Sequence, residues 1–490
     1  MPDGREDEDS SSDVNLSMST RRRFMRTAAS VGLASTVAHK STESVTAQKN
    51  GANQLWRFET GNSANSSPTV ANGTVYIGSN DNNLYSLDAE TGDERWSFET
   101  GGSVFSSPTV AEFSEMRDSS DEPAEPTVYF GSFGGNIYAL DAETGDEIWS
   151  FEAGRGLQSS PTVADASPTG STGGTVYVGS GRSDTRIYAL DAETGDELWR
   201  FEADGWIYSS PTVSDNVVYF GSLDHNVYAL DAETGDEVWR FETKRPVRSS
   251  PTIADGTVYV GSRDTRLYAL DAETGDELWR FGNPGSVESS PTVADGVVYF
   301  GSLDSDLYAV EAETGEKLWQ YDTGGNVFSS PTVADGVVYV GSRDSSLYAL
   351  DAETGEEVWR FGTGDRVGSS PTVLDGTVYF SSGDGNVYAL SASGSSIGSR
   401  VAHGTLGHHG VRFSDEPTEN GTDDDGNADG DTDKGENGDS DDGTDTNEQD
   451  ENTNNSTDEE AMPGMNISAT LASIVAAGYL LFRRSEDEKY

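Results

Sequence analysis

The chain of 490 residues contains no cysteine. This absence excludes a disulfide framework, a thiolate metal site, a cysteine nucleophile and a lipid attached to an N-terminal cysteine. Histidine is scarce as well, with five in the whole chain. The sequence also has no P-loop, no H-E-x-x-H pair and no nucleophile elbow, so the familiar motifs of phosphoryl transfer, zinc hydrolysis and acyl transfer are missing.

Basic residues are the next shortage, because 31 Lys and Arg stand against 86 Asp and Glu, giving a formal net charge of −55. A surface this acidic repels itself at low ionic strength and is tolerated when salt screens it. We therefore predict a halophilic, haloarchaeal protein. Nucleic acid and anionic membrane are disfavoured as partners of this surface, since both carry the same sign of charge.

The abundant feature is a repeat that runs between Leu55 and Leu390, in which S-S-P-T-V, V-Y-x-G-S, Y-A-L-D-A-E-T-G and W-R-F follow one another. A period of this size is typical of a solenoid or a propeller. One unit holds four short apolar runs, at 211–213, 217–221, 227–230 and 238–241, which predict four strands. The spacing is 40 residues from Trp199 onwards, and the repeated tryptophans are Trp56, Trp96, Trp149, Trp199, Trp239, Trp279, Trp319 and Trp359.

The two ends of the repeat region favour a closed ring. The last unit, 369–390, has three predicted strands and no tryptophan, whereas 55–58 is a fourth strand without the three that should precede it. Joining them removes the unpaired sheet edges of an open array. A solenoid would show polar capping repeats, and none is visible. The predicted fold is all-β, an eight-bladed β-propeller of four-stranded blades over residues 51–400, with the last blade closed by the N-terminal strand.

The segment 229–239 has the form A-x-D-x-x-T-G-x-x-x-W, which resembles the tryptophan-docking motif of the PQQ-like eight-bladed propeller family. That family contains alcohol dehydrogenases that use pyrroloquinoline quinone and a non-enzymatic propeller lipoprotein of outer-membrane barrel assembly. The resemblance implies that each repeated tryptophan is structural and lies against the neighbouring blade. From the residues alone, Asp231 and Thr234 can cap the turn amides, and Gly235 supplies the positive φ that a tight turn needs.

The N-terminal segment 1–47 resembles a twin-arginine export signal. Arg21 and Arg22 form the pair, Phe24 and Met25 follow, and a modest apolar stretch comes next. Export by this route predicts a folded propeller outside the cell membrane.

The C-terminal part changes composition twice. Residues 414–461 are mostly Asp, Glu, Asn, Gly, Thr and Ser and predict a disordered, acidic stalk. Residues 463–484 hold an apolar run that ends in two arginines, and they resemble the C-terminal sorting signal processed by an archaeosortase, although Met465 stands where Phe is usual. The alternative is a short membrane anchor. Both readings place the protein on the cell surface, in contact with the membrane only through its C-terminus.

Two glycosylation sequons begin at Asn65 and Asn72 in the first blade, and such triplets often occur by chance.

A specific site should lie where the units differ, in the loops that enter each blade and the loops between its two middle strands. Arg343 and Arg366 occupy such loops, and the basic residues are most frequent in blades three to five. Aromatic residues, among them Phe105, Phe133 and Phe328, add apolar surface to the same loops. We predict an anion- or glycan-binding face there. The alternative is that these arginines pair with nearby aspartates, as Arg263 could with Asp264. The residues assigned to the face are Arg155, Arg182, Arg186, Trp206, Tyr208, Lys244, Arg245, Arg248, Arg263 and Arg266.

An enzyme is the competing class, since the resemblance implies for the dehydrogenases a quinone pocket over the channel, a calcium ion, an aspartate base and often adjacent cysteines. No departure from the repeat builds this set. His225 fits a loop better than a general base, and His403, His408 and His409 fit a surface strand better than a metal site. The prediction is a monomeric, non-catalytic binding or scaffold propeller without PQQ, calcium or another cofactor. Its partner would be an envelope protein or an acidic glycan, and the alternatives are a PQQ-dependent dehydrogenase and an acidic-glycan-binding module.

Overall fold

The computed structural model describes residues 52–111, 126–164 and 174–392. Regular structure in these ranges consists of 32 strands in eight four-stranded antiparallel sheets, one for each predicted blade. No helix in the same ranges is long and apolar enough to cross a membrane. The predictions for 1–47, 414–461 and 463–484, and for the three histidines after the last blade, lie outside the described residues.

The first strand is β1 (Gln54–Glu59), and the blades follow it in chain order. Blade 1 contains β2 (Thr69–Ala71), β3 (Thr74–Gly78), β4 (Asn83–Asp88) and β5 (Glu94–Glu99). Blade 2 contains β6 (Thr109–Ala111), β7 (Thr127–Gly131), β8 (Asn136–Asp141) and β9 (Glu147–Glu152). Blade 3 contains β10 (Thr162–Ala164), β11 (Thr175–Gly179), β12 (Arg186–Asp191) and β13 (Glu197–Glu202). Blade 4 contains β14 (Thr212–Ser214), β15 (Val217–Gly221), β16 (Asn226–Asp231) and β17 (Glu237–Glu242).

The second half of the ring repeats this pattern. Blade 5 contains β18 (Thr252–Ala254), β19 (Thr257–Ser262), β20 (Arg266–Asp271) and β21 (Glu277–Gly282). Blade 6 contains β22 (Thr292–Ala294), β23 (Val297–Gly301), β24 (Asp306–Glu311) and β25 (Lys317–Asp322). Blade 7 contains β26 (Thr332–Ala334), β27 (Val337–Ser342), β28 (Ser346–Asp351) and β29 (Glu357–Gly362). Blade 8 contains β30 (Thr372–Leu374), β31 (Thr377–Ser381), β32 (Asn386–Ser391) and β1.

The innermost strands begin later than the apolar runs predict. In blade 4 the predicted strand at 211–213 is observed as β14, which begins at Thr212. Proline has no N–H to give to a ladder, and the N–H of Ser210 donates to Ser250 Oγ of the next blade at 2.9 Å. The Ser-Ser-Pro segment therefore joins neighbouring blades instead of extending its own sheet.

Two circles of hydrogen bonds close the ring. In each blade the second serine of S-S-P-T donates its N–H to the same serine of the next blade, and the circle closes from Ser370 to Ser67 Oγ at 2.9 Å. Each threonine donates its Oγ1 hydroxyl to the next proline carbonyl, and this circle closes from Thr372 to Pro68 at 2.6 Å. Because β1 also pairs with β32, the predicted closure of blade 8 is confirmed.

Each blade docks on the next through its tryptophan, as the resemblance implies. Trp239 on β17 is buried, and its indole Nε1 donates to the carbonyl of Ala272 in blade 5 at 3.0 Å. Seven of the eight docking tryptophans make this bond. The exception is Trp359, whose Nε1 has no partner among the described residues. The alanine of blade 8 equivalent to Ala272 is Ala392, the last residue that the structure describes.

The D-A-E-T-G turn supplies the surface on which the indole lies. In blade 4 the carboxylate of Asp231 accepts the N–H groups of Glu233 at 3.0 Å and Thr234 at 2.8 Å, as predicted. Gly235 has φ 75°, and a Cβ there would lie 2.7 Å from the ring of Trp199. The turn therefore needs glycine both for its backbone angle and for the close approach of the tryptophan.

Neighbouring blades are not equivalent, since every second one carries an extra aromatic residue. The second strand has Phe in blades 2, 4, 6 and 8 and Val or Ile in the others. Each Phe stacks face to face on the Tyr of the third strand of its own blade, as Phe220 does on Tyr228 with ring centroids 5.1 Å apart. The propeller is therefore built from four double blades, and sequence reasoning based on single units missed this.

Candidate functional site

One face of the ring carries the loops that enter the innermost strands and the loops between the second and third strands. We call it the mouth face, and the opposite face, which carries the D-A-E-T-G turns, the turn face. Within a blade the two mouth loops are joined by a backbone hydrogen bond, from Arg263 N–H to the carbonyl of Pro246 at 3.0 Å in blade 5. The equivalent bond in blade 7 runs from Arg343 to Asn326 at 3.0 Å.

A ring of dissimilar side chains lies on the mouth face, two residues before each serine of the closed serine circle. Because that circle passes through every blade, these positions also surround the central axis. All eight are buried, and they hold seven residue types, although the flanking residues repeat. We call them the inner ring: Asn65, Phe105, Gln158, Tyr208, Arg248, Glu288, Phe328 and Gly368.

Glu288 is the centre of a buried charge cluster and is 1 % exposed. Its carboxylate forms ion pairs with two arginines: Arg263 Nε lies 2.9 Å from one oxygen and Arg248 Nη1 lies 3.5 Å from the other. Both arginines belong to blade 5 and the glutamate to blade 6. Arg263 therefore pairs with Glu288 and not with Asp264. The carboxylate of Asp264 forms an ion pair with Arg266 Nη1 at 3.3 Å and accepts a hydrogen bond from the hydroxyl of Tyr268 at 2.6 Å.

Aromatic rings support three of the mouth arginines. The guanidinium carbon of Arg248 lies 5.4 Å from the ring centroid of Tyr208, that of Arg182 lies 5.8 Å from Phe133, and that of Arg343 lies 4.4 Å from Phe328. Such cation–π contacts orient the flat guanidinium over the ring.

The depth of these groups corrects one expectation. Tyr208 is 3 % exposed and Arg248 is 4 % exposed, so both lie below the predicted surface instead of on it. Trp206 remains half-buried, with its ring 6.0 Å from that of Tyr208.

Two predicted site residues lie away from the axis. Arg186 opens the third strand of blade 3 and pairs with Asp184 at 3.0 Å and with Glu202 on the outermost strand at 3.2 Å. Arg266 opens the third strand of blade 5 and pairs with Asp264. For these two side chains the pairing alternative describes the structure, and the inner ring does not include them.

The remaining predicted residues lie on the mouth loops. Arg155, Lys244 and Arg245 are exposed. The N–H of Arg155 donates to Ser183 Oγ at 2.6 Å, which places Arg155 beside the loop of Arg182. The carbonyl of Arg245 accepts the hydroxyl of Ser262 at 3.1 Å, next to Arg263. The predicted arginines that lie on mouth loops thus belong to blades 3 and 5, and Arg343 lies on a mouth loop of blade 7.

Sequence reasoning missed Glu288. The signal was present, because this position of V-x-S-S carries an acidic residue in one unit alone. It gained meaning when the ring placed it beside Arg248, which occupies the same position one unit earlier.

The described residues contain no group of three His, Asp or Glu side chains arranged to hold a metal ion. The one carboxylate on the inner ring belongs to Glu288, and two arginines already hold it. The residues on this part of the mouth face therefore do not fit a calcium-bound quinone.

Comparison with known proteins agrees with the ring geometry. The sequence model of a family described as "Outer membrane protein assembly factor BamB" matches residues 134–244, 223–330 and 324–397, which together exceed half of the chain. The chain belongs to this PQQ-like repeat family. A second family model, described as the β-propeller domain of glucose, ethanol and alcohol dehydrogenases, matches residues 42–154. No curated protein sequence is significantly similar to the chain.

Solved structures share the family's fold at low identity. BamB from Moraxella catarrhalis is 20 % identical with a TM-score of 0.57, covering 69 % of this chain and 99 % of that one. The computationally designed Ika8 protein is 19 % identical with a TM-score of 0.57 over 69 % and 99 % of the two chains. A europium-containing methanol dehydrogenase is 14 % identical with a TM-score of 0.55 over 69 % and 93 %. At these identities the likeness shows the fold alone.

Proposed function

We propose that the protein is a non-catalytic binding or scaffold propeller of an archaeal cell envelope, and that its mouth face holds the partner. The observation that carries the proposal is the inner ring, where seven residue types occupy eight equivalent positions of an otherwise regular repeat. Scaffolding needs an asymmetric surface on a rigid frame, and the hydrogen-bonded circles supply the frame. The description of the matched family as an assembly factor supports the same role.

The proposed location rests on the flanking segments. Export by the twin-arginine pathway would deliver the folded ring, and the C-terminal segment 463–484 would tether it at the cell surface. An envelope protein or an acidic glycan would then be within reach of the mouth face.

Site-specific photocrosslinking in native envelopes tests the proposal. A photoreactive amino acid at Arg155 or Arg245 reports on the mouth face, and the same group at Glu193 or Glu233 reports on the turn face; all four side chains are exposed. We expect crosslinks to one envelope component from the mouth positions alone. Equal crosslinking from both faces, or none from the mouth, contradicts the proposal.

A PQQ-dependent dehydrogenase is the second candidate, because the dehydrogenase family model matches residues 42–154. PQQ and calcium added to the purified full chain, followed by desalting, decide between the two. We expect no retained quinone absorbance, since two arginines hold the single inner-ring carboxylate. A retained quinone chromophore would favour the dehydrogenase.

The halophilic assignment is also a proposal and rests on the net charge of −55. The screening length falls from about 10 Å at 0.1 M salt to about 3 Å at 1 M, so repulsion between folded-state carboxylates weakens over this range. We expect the free energy of unfolding to rise steeply with KCl. Equal stability in dilute buffer and molar salt contradicts the assignment.

A further inference from the structure

We infer that the mouth face binds the carboxylate groups of an acidic polysaccharide through Arg182, Arg263 and Arg343. The inference rests on the proposed function and names the class of ligand. Its experiment is separate from the crosslinking test, so the two can fail independently.

The three arginines follow the double-blade repeat. They lie in the loops between the second and third strands of blades 3, 5 and 7. Arg263 and Arg343 directly follow the loop serine, Arg182 lies one residue further along its loop, and Asn80 follows the serine in blade 1. The even blades carry Phe133, Leu223, Leu303 and Gly383 there. The loops that carry the three arginines are therefore two blades apart around the mouth, and Leu223 and Leu303 lie in the loops between them. A scatter of independent surface charges would not follow this alternation.

Each of the three guanidinium groups is held before a ligand arrives. Arg343 lies over Phe328, and Arg182 lies over Phe133. Arg263 is fixed through its Nε by the carboxylate of Glu288 at 2.9 Å. A side chain that is already ordered loses less conformational entropy on binding, and a planar guanidinium matches the two oxygens of a carboxylate.

The mouth already holds one carboxylate in this way. Glu288 is 1 % exposed and lies against two guanidinium groups, so arginines of this face do hold a carboxylate. The mouth arginines contrast with the strongly acidic chain as a whole. Where salt screens long-range attraction, short charge-assisted contacts of this kind remain effective.

Trp206 favours a sugar polymer over an acidic peptide. Of the nine tryptophans in the chain it alone stands outside the docking set, half-buried beside Tyr208 on a mouth loop. Its indole offers a flat apolar face with one wet edge, against which the C–H side of a pyranose ring can pack. A uronic acid polymer presents a carboxylate and such a ring in every residue, and so matches both the arginines and the tryptophan.

The test measures binding of the full chain to polygalacturonate in molar KCl, with dextran as the neutral polymer. The double variant Arg182→Gln, Arg343→Gln removes the two guanidinium groups that lie over Phe133 and Phe328. Its matched control is Arg200→Gln, Arg280→Gln, which changes the charge equally but affects outer-strand residues paired with Glu197 and Glu277. We expect binding to weaken at least ten-fold in the first and to stay unchanged in the second.

Two further variants test the chemistry. The variant Arg182→Lys, Arg343→Lys keeps the charge but cannot form a bidentate contact, so binding should fall between wild type and the Gln variant. Trp206→Ala should weaken binding to polygalacturonate and leave binding to poly-glutamate unchanged. A melting curve of each variant checks the fold, and the single Arg343→Gln change replaces the pair if the double variant melts early.

Three results would overturn the inference. The first is that the wild-type protein does not bind polygalacturonate, and the second is that the Arg200→Gln, Arg280→Gln control weakens binding as much as the mouth variant does. The third is that the protein binds poly-glutamate more tightly than polygalacturonate and that Trp206→Ala has no effect on binding. The last result assigns the face to an acidic polypeptide. If mouth crosslinks persist while polygalacturonate fails to bind, the inference falls and the proposed function stands; if both are absent, both fall.

Discussion

The two faces of the ring lie at opposite ends of the same strands, yet the chain treats them differently. On the turn face nearly every blade uses the same D-A-E-T-G turn, because its aspartate, its glycine and an alanine carbonyl together form the seat of the neighbouring tryptophan. On the mouth face the inner ring holds seven residue types in eight positions. Sequence is thus nearly fixed at the turns that receive the tryptophans, and it varies at the inner ring.

The largest expected loss of stability follows from opening the ring, because both faces depend on its closure. Deleting residues 51–60 removes β1 and its buried Trp56, which bonds Ala89 of blade 1 at 2.9 Å. Loss of a buried tryptophan alone costs roughly 3 to 5 kcal/mol, so we expect a markedly lower melting temperature. An unchanged melting curve would indicate that the blades form an open array.

The mouth face should respond more strongly than the outer strands to loss of a carboxylate. Glu288→Ala leaves the buried Arg248 without its acidic partner, and breaking a buried pair typically costs about 3 to 5 kcal/mol. Glu237→Ala breaks an exposed pair with Arg240, which is worth about 0 to 1 kcal/mol. Urea unfolding of both variants measures the contrast, and equal losses would contradict the buried cluster.

The indole hydrogen bond gives a smaller contrast between otherwise matched sites. Trp239→Phe removes the bond to Ala272, whereas Trp359→Phe removes no bond to any described residue. We expect the first change to cost about 1 kcal/mol more than the second. Equal costs in chemical unfolding would mean that Trp359 also has a partner.

The smallest expected effect concerns the ion pair formed by the basic residue of β5. Arg95 pairs with Asp88 at 2.8 Å and lowers the pKa of that carboxyl to about 2. Because the pKa of Asp88 is lower in the folded than in the unfolded protein, its ionised carboxylate stabilises the fold above about pH 4. This stabilisation is lost as the pH falls towards 2. Arg95→Leu should therefore raise the pKa of Asp88, measured by NMR titration, with a stability loss of at most about 1 kcal/mol because the pair is exposed.

Much of the fold was predictable because the same strand, turn and tryptophan pattern recurs in successive units. The 40-residue period, the docking motif and the orphan strand at 55–58 together indicated eight blades and their closure. The start of each innermost strand was less predictable, since the Ser-Ser-Pro segments bond to the next blade. The alternation of Phe220 and its equivalents with Val was visible in the sequence, but it emerged only when neighbouring units were compared in pairs.

The sequence by itself determined where the backbone runs, because turn glycines, docking tryptophans and strand patterns recur from unit to unit. Tertiary structure alone decided which mouth side chains are buried and which pair. Arg248 and Glu288 meet across two blades, and the ring of the buried Tyr208 lies under the guanidinium of Arg248 from the next blade. The two first-blade sequons show the same division: Asn65 is 3 % exposed on the inner ring, whereas Asn72 is exposed in the β2–β3 turn. The burial of a side chain depends on the side chains that adjacent blades place beside it, and the sequence of a single repeat unit does not contain those side chains.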